Sequence, residues 1–87
     1  MQYEPGMMAR SLAGHDQDQY YVILCEEGAY VYLADGKIRT VDRPKKKKKK
    51  HIQLMSTIPQ ELADKLKRGE AIRNEDIKRV IGGIVHV

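Results

Sequence analysis

The apolar positions of this chain change period near residue 55. Before it they fall in short runs rich in Tyr, Val, Ile and Leu, separated by turns bearing Gly and Asp, which is the pattern of strands. After it they recur at helical spacing. Met7–Ser11 predicts a first strand behind the Pro5-Gly6 turn, and the polar stretch from Ala13 to Gln19 predicts a long turn. Tyr20–Cys25 is apolar at every position, as expected of a strand covered on both faces, and Glu26-Glu27-Gly28 is expected to end it. Tyr30–Ala34, Asp35-Gly36 and Lys37–Val41 together predict a β-hairpin on a type I′ turn. That register sets Leu33 against Ile38 and Val31 against Thr40, leaving Tyr30, Tyr32, Lys37, Arg39 and Val41 on the other face. His51–Met55 predicts a last short strand.

Pro59 suits the first position of a helix with Leu62, Ala63 and Leu66 as its stripe and Gly69 as its stop. Asn74 suits the N-cap of a second helix, with Ile77, Val80 and Ile81 on one face and Gly82-Gly83 as terminator. Ile84–Val87 either docks on the body or frays. Helices this short need something to pack against, whether the strands or a partner. A faint likeness to a helix-turn-helix is set aside, because the second helix offers few groups suited to base edges.

Charge sharpens this picture. Residues 1–36 carry one base, Arg10, and six acids, whereas residues 37–50 carry nine bases and one acid. The remainder is nearly balanced, so the net charge of +4 is concentrated in one stretch and points to a polyanionic partner. Its centre is a run of six lysines, Lys45–Lys50, expected to stay unburied and extended or fluctuating until an anion neutralises it. The blander role for such a run is that of a solubilising tail.

The chemistry of catalysis is poorly represented. Ser11 and Cys25 lack a base arrangement, the phosphate loop GxxxxGK is absent, and His15, His51 and His86 are scattered without helical pairing. Glu61, Asp64, Glu75 and Asp76 read as solvated or helix-end charges. The lone Cys25 lies in an apolar run and is expected to be a buried, inert thiol. The opening residues lack a basic stretch leading into an apolar one, and no apolar run nears eighteen residues. A soluble, cytoplasmic, non-enzymatic protein without cofactor, metal or membrane partner is the expectation.

Gly6, the strand after it, Ala13-Gly14-His15-Asp16 and the entry into Tyr20–Leu24 resemble a KOW motif. The Asp35-Gly36 turn, the basic segment through Arg43 and the ending Lys50-His51-Ile52 resemble the KOW-type large-subunit ribosomal proteins of archaea and eukaryotes. The whole arrangement is similar to a bacterial group of short KOW-domain RNA-binding proteins. In this chain Gln17 and Asp18 stand where the motif carries Lys-Gly, so no RNA contact is carried over to them, although Asp18 can still take the left-handed conformation that the glycine supplies.

The resemblance implies a mainly β fold: a small SH3-like barrel with a basic loop over residues 5–55 and a C-terminal pair of short helices over 56–87. It also implies a monomer bound to ribosomal RNA of the large subunit. The expected RNA-binding residues are Arg43, Lys45, Lys46, Lys47, Lys48, Lys49 and Lys50 for electrostatics, with Lys37, Arg39 and His51 shaping the site and Arg10 and His15 beside it. The tyrosines facing Lys37 and Arg39 either stack on bases or merely cover the strands beneath a cation–π contact. The alternative, from another class, is an adaptor whose tail helices hold a translation or transcription factor while the lysines attract RNA nonspecifically.

Overall fold

The computed structural model describes residues 2–85. Five strands form one antiparallel sheet: β1 (Met8–Ser11), β2 (Tyr20–Glu27), β3 (Tyr30–Ala34), β4 (Lys45–Lys48) and β5 (Ile52–Met55). Their order is β4-β3-β2-β1-β5, with a 3₁₀ turn at Lys49–His51 before β5. Helices α1 (Gln60–Lys67) and α2 (Asn74–Val85) follow. The class is mainly β, as expected. No ladder joins β4 to β5 among the described residues, so the strands make an open sheet and not a closed barrel.

Period-2 alternation gives the sheet two apolar faces. Ala9, Tyr21, Ile23, Val31, Leu33 and Ile52 share one buried cluster. Val31 and Ile52 come from strands separated by β2 and β1, so the sheet curves around this core. Met8, Val22 and Ala34 form the other face, closed by Leu62 of α1 and Ile77 of α2, both fully buried. The apolar run in β2 is thus covered on both sides, by the curved sheet and by the helices. Val80, Ile81 and Ile84 of α2 pack against the same cluster, whereas Leu66 of the α1 stripe is exposed.

The predicted hairpin is the main departure. Strand β3 pairs not with Lys37–Val41 but with the lysines: Leu33 faces Lys45, Tyr32 faces Lys46, Val31 faces Lys47 and Tyr30 faces Lys48. The Asp35 side chain turns back instead, accepting the Lys37 and Arg39 N–H groups at 2.9 Å each. Gly36, with φ +83°, is buried against the start of α2, where an added Cβ would lie 2.5 Å from the Asn74 carbonyl oxygen. The Asn74 side chain accepts the Val41 N–H at 2.9 Å rather than capping its own helix. Residues 35–44 are therefore a loop bound to α2, and the basic segment expected to be a loop contains a strand.

Smaller corrections have local causes. A bulge between Ile23 and Cys25 shifts the register and places Cys25 opposite Tyr32, where it is exposed rather than buried. Beyond the bulge β2 runs on through Glu26 and Glu27 as partners of Val31 and Tyr30. Pro59 is the cap of α1, accepting the Leu62 and Ala63 N–H groups through its carbonyl, and Gly69 ends the helix with φ +71°. Gly82-Gly83 does not stop α2, because Val80, Ile81 and Ile84 pack on the core around them. That packing outweighs the ~1 kcal/mol that each glycine costs a helix. Asp76 is buried, not solvated. It accepts the Arg73 N–H at 2.9 Å, Lys65 Nζ at 2.6 Å and Arg79 at 2.9 Å, which ties α2 to α1. The Lys65 ammonium, helped by the Arg73 N–H, holds the Asp76 carboxyl below its usual range against the opposing effect of burial. His86 lies outside the described residues.

Candidate nucleic-acid interface

Strand geometry divides the lysine run. Successive side chains of β4 point to opposite faces. Lys45 and Lys47, opposite Leu33 and Val31, turn toward the curved core, whereas Lys46 and Lys48, opposite Tyr32 and Tyr30, turn outward. An inward ammonium needs an anion, and Asp16 of the β1–β2 loop supplies it. Its carboxylate meets Lys47 Nζ at 2.7 Å and Lys45 Nζ at 3.1 Å, and accepts Ser11 Oγ at 3.0 Å and the Tyr21 hydroxyl at 2.9 Å. Lys47 also donates to the Ala13 carbonyl at 2.8 Å, and its side chain is only 9% exposed.

Burial by itself would raise the Asp16 pKa, but the hydrogen bonds from Lys47, Tyr21, Lys45 and Ser11 outweigh it and hold the carboxyl well below its usual range. Burial first, and then the adjoining Asp16 charge, push the Tyr21 hydroxyl above the usual phenol range. Asp18, two residues from this centre, takes the left-handed conformation open to it (φ +70°).

On the outer side, Lys46 Nζ stands 4.6 Å from the centre of the Tyr30 ring and 3.8 Å from Glu27, which also accepts the Tyr32 hydroxyl. Lys49, in the turn after β4, pairs with Glu26 and lies 4.8 Å from the Tyr3 ring. The cation–π contacts thus involve lysines of the run and not Arg39. A shallow depression lined by Ala29, Tyr30, Lys48, Lys49 and Lys50 opens beside them.

The candidate cations fall into three groups. Lys45, Lys46, Lys47 and Lys49 are paired with Asp16, Glu27, Asp16 and Glu26. Lys37, Arg39, Arg43, Lys48 and Lys50 are exposed and make no ion pair among the described residues. Arg10 stands apart: its guanidinium is held by Asp18 at 3.0 Å and by Gln53 at 2.8 Å on the β1–β5 side. His51 is half-buried in the turn after β4, its carbonyl accepting the Leu12 N–H. His15 lines a cleft between the β1–β2 and β3–β4 loops, together with Gln19, Asp35, Ile38, Arg39 and Lys45.

Sequence reasoning missed Asp16, Ser11 and Tyr21 as the anchor of the basic strand, and Glu26 and Glu27 as lysine partners. The motif resemblance marked Asp16 but not as a lysine partner, and nothing in the spacing marks the others: Glu26 and Glu27 meet their lysines only through the sheet, and Ser11 and Tyr21 act through Asp16. Among the described residues no three His, Cys, Asp or Glu side chains form a metal-binding group, and no helix is long and apolar enough to cross a membrane. No family model matches this chain, and a search of curated proteins found no similar sequence.

Proposed function

We propose that this protein is a KOW-type RNA-binding module of SH3-like strand arrangement, whose partner is ribosomal RNA of the large subunit. The observation that carries the reading is the set Lys37, Arg39, Arg43, Lys48 and Lys50, exposed and without an ion pair among the described residues, along one stretch of chain. Exposed cations gain little from pairing with surface acids, whereas a phosphate backbone would neutralise several of them at once and release its counterions. Tyr30 and Tyr32, half-buried beside Lys46 and Lys48, add ring surface of the kind that unpaired bases stack on. The strand order, with β5 on β1 and a 3₁₀ turn leading into it, supports the SH3-like part of the reading. Ribosome association and cytoplasmic residence follow from the same proposal.

Sedimentation of the tagged protein with ribosomes at low and moderate salt, followed by RNA crosslinking of the bound fraction, tests it. Comigration with the large subunit and crosslinks gathered at one site through residues 37–51 are expected. Protein left at the top of the gradient, or scattered crosslinks that vanish together at modest salt, would overturn the ribosomal reading.

A further inference from the structure

The β3–β4 loop holds an isoleucine out in water. Ile38 is 85% exposed, by far the most exposed large apolar side chain among the described residues. The loop that carries it is pinned, not slack. Asp35 binds the Lys37 and Arg39 N–H groups, the Arg39 carbonyl accepts the Asp35 and Gly36 N–H groups at 2.8 and 3.1 Å, and Gly36 is wedged against α2. A rigid loop that presents an aliphatic group between two exposed cations is built for a ligand with an apolar face and negative charge on either side of it.

We propose that Lys37-Ile38-Arg39 is a subsite for one unpaired RNA base, which lies on the Ile38 side chain while Lys37 and Arg39 neutralise the flanking phosphates. This rests on the RNA reading above. The cleft behind Ile38 offers His15, Gln19 and Arg39 as polar partners for a base edge or ribose, and its two carboxylates are already engaged, Asp16 by Lys45 and Lys47 and Asp35 by the Lys37 and Arg39 N–H groups. An acidic protein partner fits less well, because a stable protein interface buries roughly 800 Å² on each side and Ile38 stands alone. One nucleobase matches one isoleucine. The subsite would give the module a preference for single-stranded or bulged RNA, which its lysines, acting as point charges, do not supply.

The test compares two RNA probes of equal length: a hairpin carrying 2-aminopurine in its unpaired loop, and a fully paired duplex. The wild-type protein is expected to favour the hairpin by about tenfold, the order expected when one aliphatic side chain gains an apolar contact, and to change the 2-aminopurine emission. Ile38→Ser should bring hairpin affinity down to the duplex level and leave duplex affinity unchanged. Ile38→Phe should keep the preference, and Arg39→Gln should weaken both probes. Because Ile38 and Arg39 are both exposed, these variants are expected to keep the parent's unfolding midpoint, which a thermal melt checks. An Ile38→Ser protein that retains the preference would overturn the proposal, as would a wild-type protein that binds both probes equally. A photo-crosslinker at position 38 that yields protein adducts and no RNA adduct would overturn it too. Failure to bind either probe at low salt would instead remove the RNA reading itself.

Discussion

At the scale of single residues, Asp16 governs the basic strand. It alone neutralises both lysines that β4 turns inward, and Ser11 and Tyr21 fill out its hydrogen bonding. Asp16→Asn should cost on the order of 3 kcal/mol in urea unfolding, because Lys45 and Lys47 would lose their counter-charge in a largely buried place. Adding Lys47→Met should recover part of that loss, a coupling that a double-mutant cycle would measure. The folded Asp16 pKa lies below the unfolded value of about 3.9. Its stabilisation is therefore full above the unfolded value and is lost as pH falls through the folded one. Unfolding free energy should decline below about pH 4 in the wild type and more shallowly in Asp16→Asn. Asp76, also depressed, accounts for part of the slope that remains. Gly36→Ala should destabilise by at least about 2 kcal/mol in thermal unfolding, since left-handed backbone and a clash with the Asn74 carbonyl oppose the new methyl.

At the scale of elements, Lys45–Lys48 form a strand whose two faces differ: Lys45 and Lys47 are held by Asp16, while Lys46 and Lys48 are exposed. Exposed lysines on an edge strand also discourage pairing with another chain, so Lys46 and Lys48 guard the open side of the sheet. Lys45→Gln with Lys47→Gln should lower stability by ~3 kcal/mol, because Asp16 would then be the uncompensated charge. Lys48→Gln with Lys50→Gln should leave stability within about 0.5 kcal/mol. RNA affinity should instead fall by about tenfold in filter binding, as phosphate contacts are lost. Equal effects of the two pairs on affinity would mean that pairing with Asp16 does not decide which lysines bind. The element most misread from sequence is also here. Asp-Gly after an alternating run is a strong hairpin signal, yet Asp35 satisfies the N–H groups of residues 37 and 39 by itself and Gly36 is taken up by α2. The next chain available to pair with β3 is then Lys45–Lys48. Asp64 and Glu75 kept the exposed or half-exposed character expected of them, but Asp76 did not, because it sits where the two helices meet.

At the scale of the whole molecule, the acidic first third and the basic middle are brought together by the sheet, and their opposite charges partly cancel. Asp16, Glu26 and Glu27 take up Lys45, Lys46, Lys47 and Lys49, so the electrostatic footprint is smaller than the run suggests. If Lys37, Arg39, Arg43, Lys48 and Lys50 all meet phosphates, log K for single-stranded RNA should fall with log salt at a slope of roughly −3 to −4. Each of Lys48→Gln and Lys50→Gln should flatten it by about 0.7. A slope approaching the whole basic tract would require the paired lysines to leave their acids. Titrating affinity between low and physiological salt settles which of these holds.

The sequence by itself determined the periods: short β-rich runs, two helices with apolar stripes, Gly69 as a stop, and positive charge gathered between residues 37 and 50. These are local properties, written in side-chain spacing and turn chemistry, and β1, β2, β3, β5, α1 and α2 all lie close to where the pattern puts them. Only the tertiary structure decided which segment pairs with β3, which lysines are held and which are free, and why Cys25 is exposed. Each of those depends on a partner far along the chain or on a one-residue shift in register. Six identical side chains carry no pattern of their own, so the alternation of inward and outward lysines arises only once β3 and Asp16 impose it.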